Sequence, residues 1–213
     1  MSQNKPKRGI RRVGLLGGTF DPIHYGHLIS AQWSMERFSL DQVLFIPTGS
    51  PPHKQENEVM PATHRYQMVL LAIKDHPNFK ISTIELTREG PSYTIDTIRT
   101  LQNRYNGNAQ LFFITGADSI LELHTWHRYK ELLASSNFIA TTREGYDSGT
   151  FHKRVAEFQE KYSARILELE IPAIGISSSR IRDYISKGIS IKYLVPERVE
   201  QYIIKNNLYT VGV

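Results

Sequence analysis

"RRVGLLGGTFDPIHYGH", residues 11–27, decides the fold. Within it "RRVGLLG" (11–17), a short apolar run behind two arginines that ends at a glycine pair, has the pattern of a buried strand. Thr19 offers a hydroxyl and a backbone N–H, and Asp21-Pro22 then favours a turn. Residues 27–38, "HLISAQWSMERF", continue as a helix. His24 and His27 stand three apart where that helix opens, so they share a face. A helix start presents free N–H groups and the positive end of a dipole, and so favours anions. Imidazoles add donors that can carry charge near neutral pH. Gly17 and Gly18 let the backbone turn tightly and approach a ligand, and Gly26 removes a side chain between the two histidines.

The same alternation runs outward along the chain. "QVLFIP" (42–47), "FKISTIEL" (79–86), "QLFFITG" (110–116), "NFIATTR" (137–143) and "ARILELE" (164–170) read as strands. Tyr66, Val69, Leu70 and Ile73 mark one helix face, and Ile95, Ile98, Leu101 and Tyr105 another, led in by "PSYT". Pro196 sits where a first helical turn tolerates it, ahead of Val199, Tyr202 and Ile203. Strand and helix in alternation predict an α/β fold, a doubly wound, mostly parallel sheet with helices on both faces. In such sheets ligands bind beyond the carboxyl ends of the strands. The opening motif, the proline-rich loop 48–61 and "TGAD" after the fourth strand all fall there.

Composition sets outer bounds. The 213 residues suit one domain, expected over 10–213, with a helical C-terminal part from about 171 and a basic disordered tail over 1–9. No apolar stretch approaches a membrane span, and the start lacks the apolar core of a secretory signal. The absence of cysteine excludes disulfides, thiolate catalysis and cysteine zinc sites, and fits a reducing compartment. The net charge of +5 suits a solvated basic surface or an anionic ligand such as a nucleotide phosphate. Nucleic acid lacks support, since no basic patch with interleaved aromatics stands outside the first dozen residues.

The motif is neither a P-loop nor a G-x-G-x-x-G fingerprint. Two histidines without an evident third ligand make a weak zinc site, so no metal-ligating residue is assigned. Near the other end, "ISSSRIR" (176–182) reads as a serine-capped helix start, with Arg180 and Arg182 able to grip phosphate oxygens. Taken singly, these histidines, serines and arginines could equally be surface and capping residues.

Together they resemble a known superfamily. "GGTFDPIHYGH" is similar to the G-x-F-D-P-x-H-x-G-H motif of the HxGH nucleotidyltransferases, and "ISSSRIR" to their I-S-S-T-x-I-R, with Ser179 where the family commonly has Thr. "PPHK" (51–54), "EGPSYTIDT" (89–97) and "GADSI" (116–120), with Trp126 following, resemble the nicotinate-nucleotide adenylyltransferases. The resemblance runs from about Val13 to Tyr209 and is weakest over 144–163. It implies a Rossmann-like cytoplasmic enzyme that transfers AMP from ATP to nicotinate mononucleotide, releasing pyrophosphate, with Mg²⁺ brought in on ATP.

The resemblance also implies roles. His24, His27, Lys54 and Arg182 would act on the reacting phosphates. Gly17, Gly18, Thr19, Phe20, Gly116, Asp118, Ser177 and Ser178 would bind ATP. Tyr93, Thr94, Trp126 and Arg143 would bind the mononucleotide. Neither nucleic acid nor membrane takes part, and a homo-oligomer is compatible. The rivals are use of nicotinamide mononucleotide or phosphopantetheine as acceptor, a cytidylyltransferase, and a nucleotide-sensing module without turnover.

Overall fold

A computed structural model describes residues 10–50, 59–143, 148–172 and 174–210. Strand β1 (Arg11–Gly18) runs into helix α1 (Tyr25–Arg37), followed by β2 (Gln42–Pro47), α2 (Ala62–Ile73) and the short β3 (Phe79–Ile81). The second half holds α3 (Thr94–Tyr105), β4 (Ala109–Gly116), α4 (Ala117–Leu121), a 3-10 turn (Leu123–Thr125), α5 (Tyr129–Ser135), β5 (Asn137–Arg143), α6 (Ser148–Tyr162) and β6 (Arg165–Ile171). Helices α7 (Ser178–Ser186) and α8 (Glu197–Lys205) close it.

The six strands form one sheet in the order β3-β2-β1-β4-β5-β6, every pair parallel. This is the Rossmann-like, doubly wound arrangement. The chain starts in the middle, winds outward to β3, then returns to β4 and winds the other way. Each face carries its own core. Val13, Leu15, Ile95, Ile98, Leu111, Leu133, Phe138, Phe151 and Phe158 pack under α3–α6. Leu16, Ile23, Phe45, Val69, Ile73, Ile139, Ile181, Val199 and Ile203 pack under α1, α2, α7 and α8. Strands buried on both faces must be near-continuous apolar runs, and β1, β2 and β4 are. Among the described residues no helix is long and apolar enough to cross a membrane.

Two elements differ from the sequence reading. β3 ends at Ile81, five residues short of the predicted 86, because β2 runs out of donors. Val43 N–H donates to Asn78 O, so every second N–H of β2 faces β3, and the residue next due after Phe45 is Pro47, which has none. The face of α2 is also rotated. Met68, Val69 and Ile73 are buried beside Arg65, while Leu70 is exposed. The segment 144–163, which resembled nothing, carries α6, with Phe151 and Phe158 inward at helical spacing.

Candidate active site

Strand order reverses between β1 and β4, and two cavities open at their carboxyl ends. The first, about 420 Å³, is lined by Gly17, His24, Gly26, His27, Gly116, Asp118, Arg143, Ser177 and Ser178, among others. The second, about 560 Å³, is lined by Gly17, Gly18, Thr19, Glu85, Ser92, Tyr93, Thr94, Trp126 and His127, among others. Gly17 and Thr115 line both. The cavities therefore meet above the last residues of the two central strands.

The first motif is built around a sharp turn. Gly17 and Gly18 stay within the extended strand, and the left-handed residue is Phe20, at φ +50°. The turn was expected of the glycines; Phe20 takes it at a cost of about 1–3 kcal/mol. Side chains from distant elements capture the carbonyls around it. Arg65 Nη1 donates to Thr19 O at 2.9 Å, Arg182 Nη1 to Asp21 O at 2.7 Å, and Ser178 Oγ to Pro22 O at 2.9 Å. The Asp21 side chain is buried and accepts from Tyr209 Oη at 2.6 Å and from Met60 N–H at 3.4 Å.

Beyond this turn the two imidazoles stack at 3.8 Å between centroids, and the Phe20 ring meets His27 edge-on at 5.0 Å. Gly26 makes room for the stack, since a Cβ there would lie 3.0 Å from the His24 ring. His24 N–H donates to His27 Nδ1 at 3.2 Å, which assigns the neutral ring's proton to Nε2. Burial lowers His24 to about 4, with the positive charge of Arg143 adding to it. Burial and the neighbouring His24 hold His27 well below its ordinary value. The expectation of charged imidazoles near neutral pH is thus corrected: desolvation keeps both neutral in the free protein, as N–H donors.

The second motif is a capped helix start. Ser177 Oγ accepts from Arg180 N–H at 3.3 Å, and Ser177 and Ser178 face the first cavity. Arg182 bridges α7 to the Asp21 carbonyl, with a guanidinium nitrogen 3.8 Å from the carboxylate. Arg143, grouped by the sequence with Tyr93, Thr94 and Trp126, instead lines the first cavity with His24. In the second cavity Trp126 sits edge-on to Phe113 at 6.0 Å, and Tyr93 stacks on His127 at 4.2 Å. Phe20 belongs to the core behind the histidines. Lys54 lies outside the described residues.

Residues 15–184 match the family described as Cytidylyltransferase-like. The chain is 46% identical over 198 residues to a probable nicotinate-nucleotide adenylyltransferase of Thermoanaerobacter sp. (strain X514), spanning 93% of this chain and 94% of that one. It is 40% identical over 211 residues to one of Desulfitobacterium hafniense (strain Y51), spanning 99% and 100%. The chain belongs to the nicotinate-nucleotide adenylyltransferase family. It is a nucleotidyltransferase of the HxGH superfamily. The fold is shared with Plasmodium falciparum nicotinic acid mononucleotide adenylyltransferase complexed with NaAD, at TM-score 0.76 and 21% identity over 93% of this chain and 97% of that one.

Reasoning from sequence alone missed several buried residues around the turn and the second cavity. Arg65 is 2% exposed and donates to three carbonyls, of Thr19, Gly49 and Met60. Burial lowers its pKa, opposed by Asp21 and Tyr209. Glu85 is buried against the second cavity and accepts from Thr97 Oγ1 at 2.8 Å. Burial raises its carboxyl, opposed by Thr97, Arg88 and Thr48. Ser92 Oγ is buried in the same wall without a hydrogen-bond partner among the described residues. No periodicity points to these residues. A charged side chain at an otherwise apolar helix position was the available signal for Arg65.

Proposed function

We propose that the protein transfers AMP from ATP to nicotinate mononucleotide, giving nicotinate adenine dinucleotide and pyrophosphate. Two cavities that share Gly17 and Thr115, with paired neutral imidazoles in one, carry this reading. The reaction needs two nucleotides laid end to end with a phosphate of one against the α-phosphorus of the other.

ATP occupies the first cavity, its adenosine toward Gly116 and Asp118 and its phosphates toward His24, His27, Ser177 and Ser178. Gly17, Gly18 and Thr19 bring backbone close to the reacting phosphates, and Phe20 backs the His27 ring. Arg143 offers positive charge in the same cavity, beside His24. Arg182 uses one donor on Asp21 O, and its remaining N–H groups reach toward the leaving pyrophosphate. Lys54 adds charge to the same phosphates. Tyr93, Thr94 and Trp126 hold the mononucleotide, the ring against Trp126 and the carboxylate near the N–H groups that open α3. The 46% identical relative bears the adenylyltransferase name, which supports this choice of acceptor over phosphopantetheine.

The mononucleotide phosphate attacks the α-phosphorus in line, and the bond to pyrophosphate breaks on the opposite side. The protein's part is positioning and charge stabilisation. Nε2–H of His27 strengthens its hydrogen bond as negative charge grows on the phosphoryl oxygens. The nucleotide substrate is MgATP. The ion would come in on ATP, held mainly by phosphate oxygens and water.

Pyrophosphate release, with nicotinate and nicotinamide mononucleotides offered in parallel, tests the reading. Turnover with the acid alone is the expected result. Equal turnover with both removes the carboxylate pocket near Thr94. Silence with both, in a protein that binds ATP, removes the reaction.

A further inference from the structure

The Phe20 turn is held from four directions, and one of the holding groups is at the far end of the chain. Tyr209 Oη lies 2.6 Å from Asp21 Oδ1, within the range of a charge-assisted O–H···O⁻ bond. Tyr209 is itself held at φ +64°, and its hydroxyl reaches the residue that follows the left-handed Phe20. Leu208, beside it, is buried in the core under α2 and α8, which anchors the segment. Asp21 is 2% exposed, and its carboxylate faces Tyr209, Met60 N–H and, further off, Arg182, with the buried positive charge of Arg65 also acting on it. Three residues after Asp21 stands His24, whose own N–H holds His27 Nδ1.

We propose that Tyr209 is a positioning residue for adenylyl transfer: through Asp21 its hydroxyl locks the Phe20 turn, and the locked turn aims His24 and His27 at the phosphates. The inference rests on the reading of the site as the place where ATP reacts. Backbone in a left-handed conformation persists only where its surroundings over-determine it. Three carbonyls of the turn are held by α2 and α7, while the carboxylate between them takes its shortest bond from Tyr209. Without the phenol, the buried charge loses its shortest bond and draws on Arg182 and Met60 instead. That rotates the turn and, with it, the imidazole pair. Burial and the adjacent carboxylate raise the phenol's pKa, so the proton stays on Tyr209 through the working pH range.

The test compares Tyr209→Phe with Ile203→Val, a core substitution in α8 that lowers Tm without touching the turn. Two quantities are measured on the full chain: steady-state kinetics with MgATP and nicotinate mononucleotide, and amide exchange at residues 19–27. Tyr209→Phe is expected to lower kcat by about ten- to a hundredfold, with both KM values within about threefold. Exchange over 19–27 should quicken about tenfold while β5 stays protected. Adding Asp21→Asn to Tyr209→Phe should cost little more, because the two residues act as one unit. Wild-type kcat and exchange in Tyr209→Phe would overturn the proposal. So would an equal loss of kcat in Ile203→Val, which would trace the effect to stability. If the wild type shows no turnover while exchange in Tyr209→Phe still quickens over 19–27, the lock stands and the reaction assigned to the site fails.

Discussion

Acid should weaken this protein through His24, starting near the ordinary imidazole value of 6.5. The imidazole moves from an ordinary 6.5 in the unfolded chain to about 4 in the fold, because burial penalises its charged form. Between those values the unfolded chain binds the extra proton, so stability rises with pH and falls as pH is lowered through 6.5. From about pH 7.5 to about pH 5 the unfolded imidazole gains nearly a whole proton and the folded one about a tenth. That difference removes about 2 kcal/mol, approaching about 3 kcal/mol once both forms are protonated. His27 shifts in the same direction and adds to the slope. Urea unfolding of the wild type and of His24→Asn at both pH values isolates the contribution of His24 together with its coupling to His27, since the remaining groups cancel between them. The loss on acidification should be smaller in His24→Asn by about 2 kcal/mol. Equal losses, within about 0.5 kcal/mol, would refute burial as the force that holds this imidazole neutral.

Other substitutions separate the two cavities. His27→Ala should cut kcat by about a hundredfold or more with little change in ATP affinity, the loss of one transition-state donor, read by steady-state kinetics. Trp126→Ala should raise KM for the mononucleotide and leave KM for ATP within about twofold; the reverse pattern would exchange the substrates between cavities. Gly49→Ala places a Cβ 2.3 Å from Glu85 O, so the wall of the second cavity must shift. It should cost about 1–3 kcal/mol in denaturant unfolding and also raise KM for the mononucleotide.

Much of the framework was legible because a parallel sheet buried on both faces leaves a strong mark. "NFIATTR" is β5 to the residue, and β1, β2, β4 and β6 match to within one residue at each end. β3 was overread because β-branched residues continue past Ile81, while the strand's length was set by Pro47 on its neighbour. The α2 face was misplaced because Arg65 is inward. Hydrophobic periodicity assigns a cation to solvent, and the three carbonyls waiting for it, together with the Asp21 charge, explain the burial. The HxGH residues were legible as a string. What desolvation does to their charge was not, since it depends on Phe20, α7 and Arg143 closing around them in space. Tyr209 and Asp21 are 188 residues apart, and no local pattern joins them.

The central claim is that each substrate has its own cavity and that the two meet over Gly17 and Thr115. A crystal structure with nicotinate adenine dinucleotide bound tests it most directly. The adenosine should lie against Gly116 and Asp118, the pyrophosphate bridge over Gly17 beside His24 and His27, and the nicotinate ring against Trp126. A dinucleotide bound the other way round, or one lying in a single cavity, would contradict the account.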